Sequence, residues 1–249
     1  MDSISLALAP VISASTDPNA GCSGAGRAAG MCFSATASFS AASITAVIGI
    51  ATLRQVKHLR ELLLAAMPLL FAAQQAVEGA LWLQLPAGAG RDAVAALSVC
   101  FLVFAKVLWP AYVAPAVLLI EPDLRRRPVL YALAALGCTI SIYTLNRLIE
   151  NPPPVAICGH SIDYGGNEYA LSWQSFLYLL CTCVPLLLSS SGAIQRFGAI
   201  VVTGFLVSVT TYFATFISVW CFFAAAGSGV LYFYFRQAGA PIPRLNPGP

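Results

Sequence analysis

The sequence predicts an all-α polytopic membrane protein of seven transmembrane helices, with its N-terminus outside and its C-terminus in the cytoplasm. Three observations predict it: long apolar stretches, a shortage of charge, and positive charge that alternates from joint to joint. The stretches run over about Phe33–Leu53, Leu62–Gln84, Ala93–Ile120, Val129–Leu145, Leu171–Ser191, Phe197–Ala214 and Ile217–Phe235. A helix needs ~20 apolar residues to cross a hydrocarbon core of ~30 Å. The 249 residues are 59% hydrophobic and 9% charged, whereas a soluble domain averages ~25% charged. The mean hydropathy is +0.80.

Lysine and arginine in short loops set orientation. Arg54, Lys57, Arg60, Arg125, Arg126, Arg127, Arg196, Arg236 and Arg244 fall on one side, and Arg27, Arg91 and Arg147 on the other. The richer side is cytoplasmic. A net charge of +3, without a basic stripe interleaved with aromatics, argues against nucleic acid as a partner.

The elements follow in order. Residues 1–30 are rich in Ala, Ser, Gly and Pro; lacking a positive n-region, they read as a disordered extension rather than a signal peptide. Residues 31–236 form the seven-helix domain, and 237–249 a short Pro-rich cytoplasmic tail. In span one, Ser34, Ser38, Ala42 and Ala46 make one small-residue ladder, and Ala37, Ala41, Thr45 and Gly49 another. Small ladders let membrane helices approach closely. In span two, Gln74, Gln75, Glu78 and Trp82 fall on one side of a helix. A carboxylate in the outer third of the membrane needs a partner, a proton or water. Arg147, near the outer end of span four and one turn beyond Tyr143, is the expected partner.

In span three, Lys106 lies near mid-depth, and Pro110 and Pro115 predict a kink around Trp109–Pro115. Carbonyls freed by proline in a membrane must find hydroxyls, water or a ligand. A lysine in a seven-span protein invites comparison with retinal attachment, but span seven contains none. Phe197 to Phe235 holds no Asp, Glu, Lys, Arg or His. As one helix it would be roughly 58 Å long, so a hairpin turning near Thr215–Ser218 is expected.

The run Met31-Cys32-Phe33-Ser34-Ala35-Thr36-Ala37-Ser38-Phe39 resembles the opening of an uncharacterised family of bacterial multi-span membrane proteins whose members begin Met-Cys-Phe-Ser-Ala-Thr-Ala-Ser-Phe. The resemblance continues through Phe71–Gly79, Trp109-Pro110 and the Gly159-His160 loop, covering residues 31 to about 235. It implies a multi-pass protein of the bacterial inner membrane, without an activity, and suggests Met31 as the natural start.

The joint Glu150–Tyr169 is the longest on the external side and is expected to form a small cap. It carries Cys158, His160 and Asp163, candidates for a metal site as part of a larger set. Cys32, at the mouth of span one, and Cys158 are the candidate disulfide, since the external side of a bacterial envelope is oxidising. Cys100, Cys138, Cys181, Cys183 and Cys221 lie within spans and read as packing residues. No His-x-x-x-His, Gly-x-Ser-x-Gly or P-loop occurs. The sequence does not identify a cofactor.

The partners implied are the lipid bilayer, a small solute or ion, and a membrane complex. The leading reading is a non-enzymatic sensor or transporter-like protein with an outward-facing polar pocket lined by Gln74, Gln75, Glu78, Trp82, Tyr143 and Arg147. The alternatives are an accessory subunit whose polar cluster staples helices, and a lipid-modifying membrane enzyme.

Overall fold

The computed structural model describes residues 34–87, 90–158, 161–164, 173–211 and 216–238. Among these, six helical stretches are long and apolar enough to cross a membrane: Ala35–Leu53, Leu59–Gln84, Asp92–Ile120, Arg127–Glu150, Gly192–Thr211 and Phe216–Gln237. An apolar helix of 16 residues, Trp173–Leu188, lies between the fourth and fifth of them. At ~1.5 Å per residue it is about 24 Å long. Large apolar side chains such as Ile44, Val47, Ile142, Phe176 and Leu206 stay exposed on the outside of the bundle, as lipid contact allows.

Helix α1 (Ala35–Leu53) begins at Ser34, whose hydroxyl caps the Ala37 amide at 3.2 Å. Its buried residues are Ser38, Ala42, Thr45, Gly49 and Thr52, so the face turned inward takes members of both small-residue ladders. It packs chiefly on α2 (Leu62–Gln84). A β-carbon on Gly49 would stand 2.8 Å from the Leu69 amide nitrogen. The approach is too close for any other residue without displacement of the backbone.

The third stretch is three pieces in register: α3 (Arg91–Leu102), a π-helical turn (Val103–Leu108) and α4 (Trp109–Ile120). The irregularity therefore precedes the prolines instead of centring on Trp109–Pro115. Proline has no amide hydrogen to give back to the chain, and it clashes with the turn before it. In the π register its partner would be the Ala105 carbonyl, which instead accepts from the Tyr178 hydroxyl at 2.6 Å. Two residues on, the Val107 carbonyl accepts from Ser141 Oγ at 2.5 Å. The expected hydroxyl donors are present, supplied by neighbouring helices α5 (Arg127–Glu150) and α6 (Trp173–Leu188).

Helix α5 lies hard against α4, and Gly137 is why. A β-carbon there would collide with the Pro110 carbonyl oxygen. After α5, a short antiparallel hairpin, β1 (Ala156–Cys158) with β2 (Ser161–Asp163), pairs Ile157 with Ile162. Its second strand is anchored in the bundle. Ile162 and Tyr164 are buried within a core cluster containing Leu81, Phe101 and Phe216, and the Tyr164 ring stacks on Phe101 at 4.4 Å.

Helix α7 (Gly192–Thr211) and helix α8 (Phe216–Gly227) pack together as the expected hairpin. A break at Ser228, absent from the sequence reading, separates α8 from α9 (Gly229–Ala238).

At one end of the bundle, the α4–α5 and α6–α7 joints are knotted. The Glu121 carboxylate accepts from the Ser190 hydroxyl, the Ser190 amide at 2.8 Å and the Asp123 amide at 3.2 Å. Arg126 donates to the Leu188 carbonyl at 2.6 Å and pairs with Asp123 at 3.2 Å. Burial pushes the Glu121 carboxyl up, but the Ser190 and Asp123 hydrogen bonds and the Arg126 charge outweigh it. Its pKa sits below the ordinary 4.5.

Two outcomes follow from this packing. Gly137→Ala should lower stability by ~1–3 kcal/mol, the usual cost of overpacking, seen as a reduced thermal midpoint in detergent; an unchanged midpoint rejects the close approach. A depressed folded pKa stabilises above the unfolded value and loses that contribution as pH falls through the folded one. The thermal midpoint should therefore drop on acidification below about 4.5, and Glu121→Gln should flatten that acid limb.

Candidate functional site

Gln74, Gln75 and Glu78 project from one side of α2 into the bundle, and all three are buried. Gln74 Oε1 accepts from Trp109 Nε1 at 2.9 Å, while the Trp109 ring stacks on Phe71 at 4.0 Å. These contacts fasten α2 to α4. Glu78 is 2% exposed and accepts from the Ser218 hydroxyl of α8 and from Gln75 Nε2 at 3.3 Å. Cys221 and Tyr164 are near enough to interact electrostatically with it. Burial holds the Tyr164 phenol well above its ordinary pKa, so the hydroxyl keeps its proton.

Four buried polar atoms in this neighbourhood have no hydrogen-bond partner: Gln74 Nε2, Gln75 Oε1, Trp82 Nε1 and the Tyr164 hydroxyl. Chemically, the arrangement is a polar seam that ties α2, α4 and α8 together.

Beside this seam lies a cavity of about 150 Å³. Helix α5 contributes Tyr143, Thr144 and Arg147, and α6 contributes Gln174, Ser175 and Tyr178. The π-turn adds Lys106, while α7 and α8 add Phe205, Phe216, Ile217, Trp220 and Cys221. Its mouth is at the C-terminal end of α5, where Arg147 and Asn151 are exposed. The Gln174 side chain donates to the Tyr143 hydroxyl at 3.4 Å. Lys106 is drawn electrostatically to Asp163 of the hairpin.

The six residues singled out in the sequence thus fall into two groups. Gln74, Gln75, Glu78 and Trp82 line the seam, and Tyr143 and Arg147 line the cavity. Arg147 is not the partner of Glu78; Ser218 and Gln75 are. The reason is that α8 stands between them, turning Ser218 toward Glu78 and presenting Ile217 and Cys221 to the cavity.

Sequence reasoning missed Ser218, Tyr178 and Trp220. Only Tyr178 had a signal, since Pro110 required some hydroxyl to reach span three. Of the metal candidates, Asp163 faces Lys106 electrostatically. The Cys158 side chain and His160 lie outside the described residues, as does Cys32, and so the Cys32–Cys158 pairing does too. Among the described residues, no three of His, Cys, Asp and Glu are grouped to hold a metal.

If the seam is a staple, Ser218→Ala should cost ~1–3 kcal/mol by leaving a buried acceptor short of a donor. In a double-mutant cycle with Glu78→Leu, the two effects should be strongly non-additive, as for residues in one network. Additive losses in thermal stability reject the contact.

No curated protein and no solved structure matches the chain. Residues 31–245 match the model of a family described as Family of unknown function (DUF6629), and the chain belongs to that family.

Proposed function

We propose that the chain is a seven-span, non-enzymatic protein of the cell membrane, a bacterial inner membrane, whose outward-facing cavity binds a small organic anion in a sensor or transporter-like role. The seventh span in this reading is α6, short for a bilayer but mostly apolar and flanked by helices long and apolar enough to cross. The orientation rests on the excess of Lys and Arg at the joints containing Arg54–Arg60 and Arg125–Arg127, which puts the Arg147 end outside.

The observation that carries the reading is the cavity lining: two cationic side chains, Lys106 and Arg147, on a wall that is otherwise mostly apolar. Ligand sites have this make-up, an apolar concavity with a few converging polar groups. An intramembrane cation facing a cavity is itself a functional pointer. Gln74, Gln75, Glu78 and Trp82 serve behind the wall as a staple. The contacts of Gln74 to Trp109 and of Glu78 to Ser218 also favour the second reading, an accessory subunit in a membrane complex.

Equilibrium binding to the full chain in lipid nanodiscs decides between the two. Radiolabelled butyrate and benzoate should be retained and butylamine should not. Arg147→Gln should weaken retention about tenfold or more, as expected for loss of a charge-assisted contact. Retention of neither anion, or equal retention of the amine, rejects the anion site and leaves the accessory reading.

A further inference from the structure

Resting on that reading, we infer that the anion is an aromatic monocarboxylate of about benzoate size. The inner wall of the cavity is a chain of rings. Tyr178 meets Trp220 at 5.4 Å and 66°, Trp220 meets Phe205 at 5.0 Å and 70°, and Phe205 meets Phe216 at 6.3 Å and 89°. All four line the cavity. Each contact is edge-to-face, the geometry aromatic rings favour at centroid distances of ~4.5–7 Å.

The polar ends of two of these rings are already engaged. The Tyr178 hydroxyl donates to the Ala105 carbonyl at 2.6 Å, and Trp220 Nε1 donates to the Val201 carbonyl at 2.9 Å. What those two rings offer a ligand is therefore π-face and edge, held rigidly, without a free donor. A fifth ring can extend the edge-to-face series at little cost in side-chain freedom. A flexible alkyl chain gains no such directional contact.

Size and charge point to the same class. A cavity of about 150 Å³ matches the volume known to accommodate a benzene ring. Among the described residues that line or face the cavity, Lys106 and Arg147 bring two positive charges and Asp163, which acts on Lys106, brings one negative charge. That balance fits a monoanion. The ring would lie against Trp220 and Phe205, with the carboxylate toward Arg147 at the mouth.

Calorimetric titration of the full chain in nanodiscs tests this with benzoate, cyclohexanecarboxylate, hexanoate and benzylamine. Benzoate should bind at least about tenfold tighter than cyclohexanecarboxylate or hexanoate, and benzylamine should not bind. Phe205→Leu and Phe216→Leu should each shrink the preference for benzoate while the binding of cyclohexanecarboxylate persists. That persistence also reports that the variants remain folded. Because Arg147 is exposed, Arg147→Gln tests the carboxylate contact without disturbing the core, and it should weaken all three acids.

Equal affinity for the three acids overturns the aromatic class and leaves the anion site standing. Unchanged benzoate binding in Arg147→Gln, or no binding of any acid, overturns the anion site and with it this inference.

Discussion

The amide hydrogen that Pro110 lacks is the constraint on which much of this bundle depends. In a hydrocarbon core each unsatisfied backbone group costs several kcal/mol, so a proline in a span obliges the surrounding helices to answer. Here the chain shifts into a π-turn over Val103–Leu108, and the Ala105 and Val107 carbonyls turn to Tyr178 and Ser141. Those two hydroxyls fix α5 and α6 against the irregular segment, and the collision awaiting any β-carbon at Gly137 shows how closely α5 follows. The wider π-turn also sets Lys106 on the cavity wall. Such turns are frequently found at functional sites, and this one carries both Lys106 and the carbonyl that Tyr178 binds.

Polar residues inside the bundle have two distinct employments, divided by α8. On one face of that helix Ser218 donates to Glu78, and α2 is anchored there and at Trp109. On the adjoining faces Ile217 and Trp220 bound the cavity, and Cys221 borders both the cavity and Glu78. Both faces draw on the same few turns, so the anchoring of α2 and the shape of the cavity are mechanically linked. A carboxylate sealed among Gln75, Ser218 and Tyr164 gives rigidity to the partition. The cations beyond it remain within reach of the mouth.

Much of the fold was legible because the bilayer constrains length and charge so severely. Helices α1 and α2 lie close to where hydropathy put them, and α7 and α8 are separate helices as expected. The extent of α6 and the break at Ser228 were less legible, because hydropathy measures apolarity and not hydrogen bonding. Residues 34–49 announced a packing face, but which ladder members turn inward depends on where Leu69 sits, and that is a tertiary fact. The site was half legible. Glu78 and Arg147 stood out as charges in apolar surroundings, and each needed a partner. The pairing failed because depth along the membrane normal does not give azimuth around the bundle, and α8 occupies the sector between them. Ser218 and Trp220 looked like ordinary members of an uncharged span.

The β1–β2 hairpin bears on the charge inside the bundle. A lysine at mid-depth costs ~2.5–3.5 kcal/mol on insertion scales when nothing compensates it. Asp163 comes to Lys106 from a two-stranded segment whose neighbours Ile162 and Tyr164 are buried against Phe101 and α8. The hairpin is thus held by apolar packing, and its one acidic side chain is delivered by that packing to the wall of the cavity. An arrangement meant only to neutralise charge would need no second cation beside it. Arg147, exposed and without an ion pair among the described residues, is the charge that the proposed anion would meet.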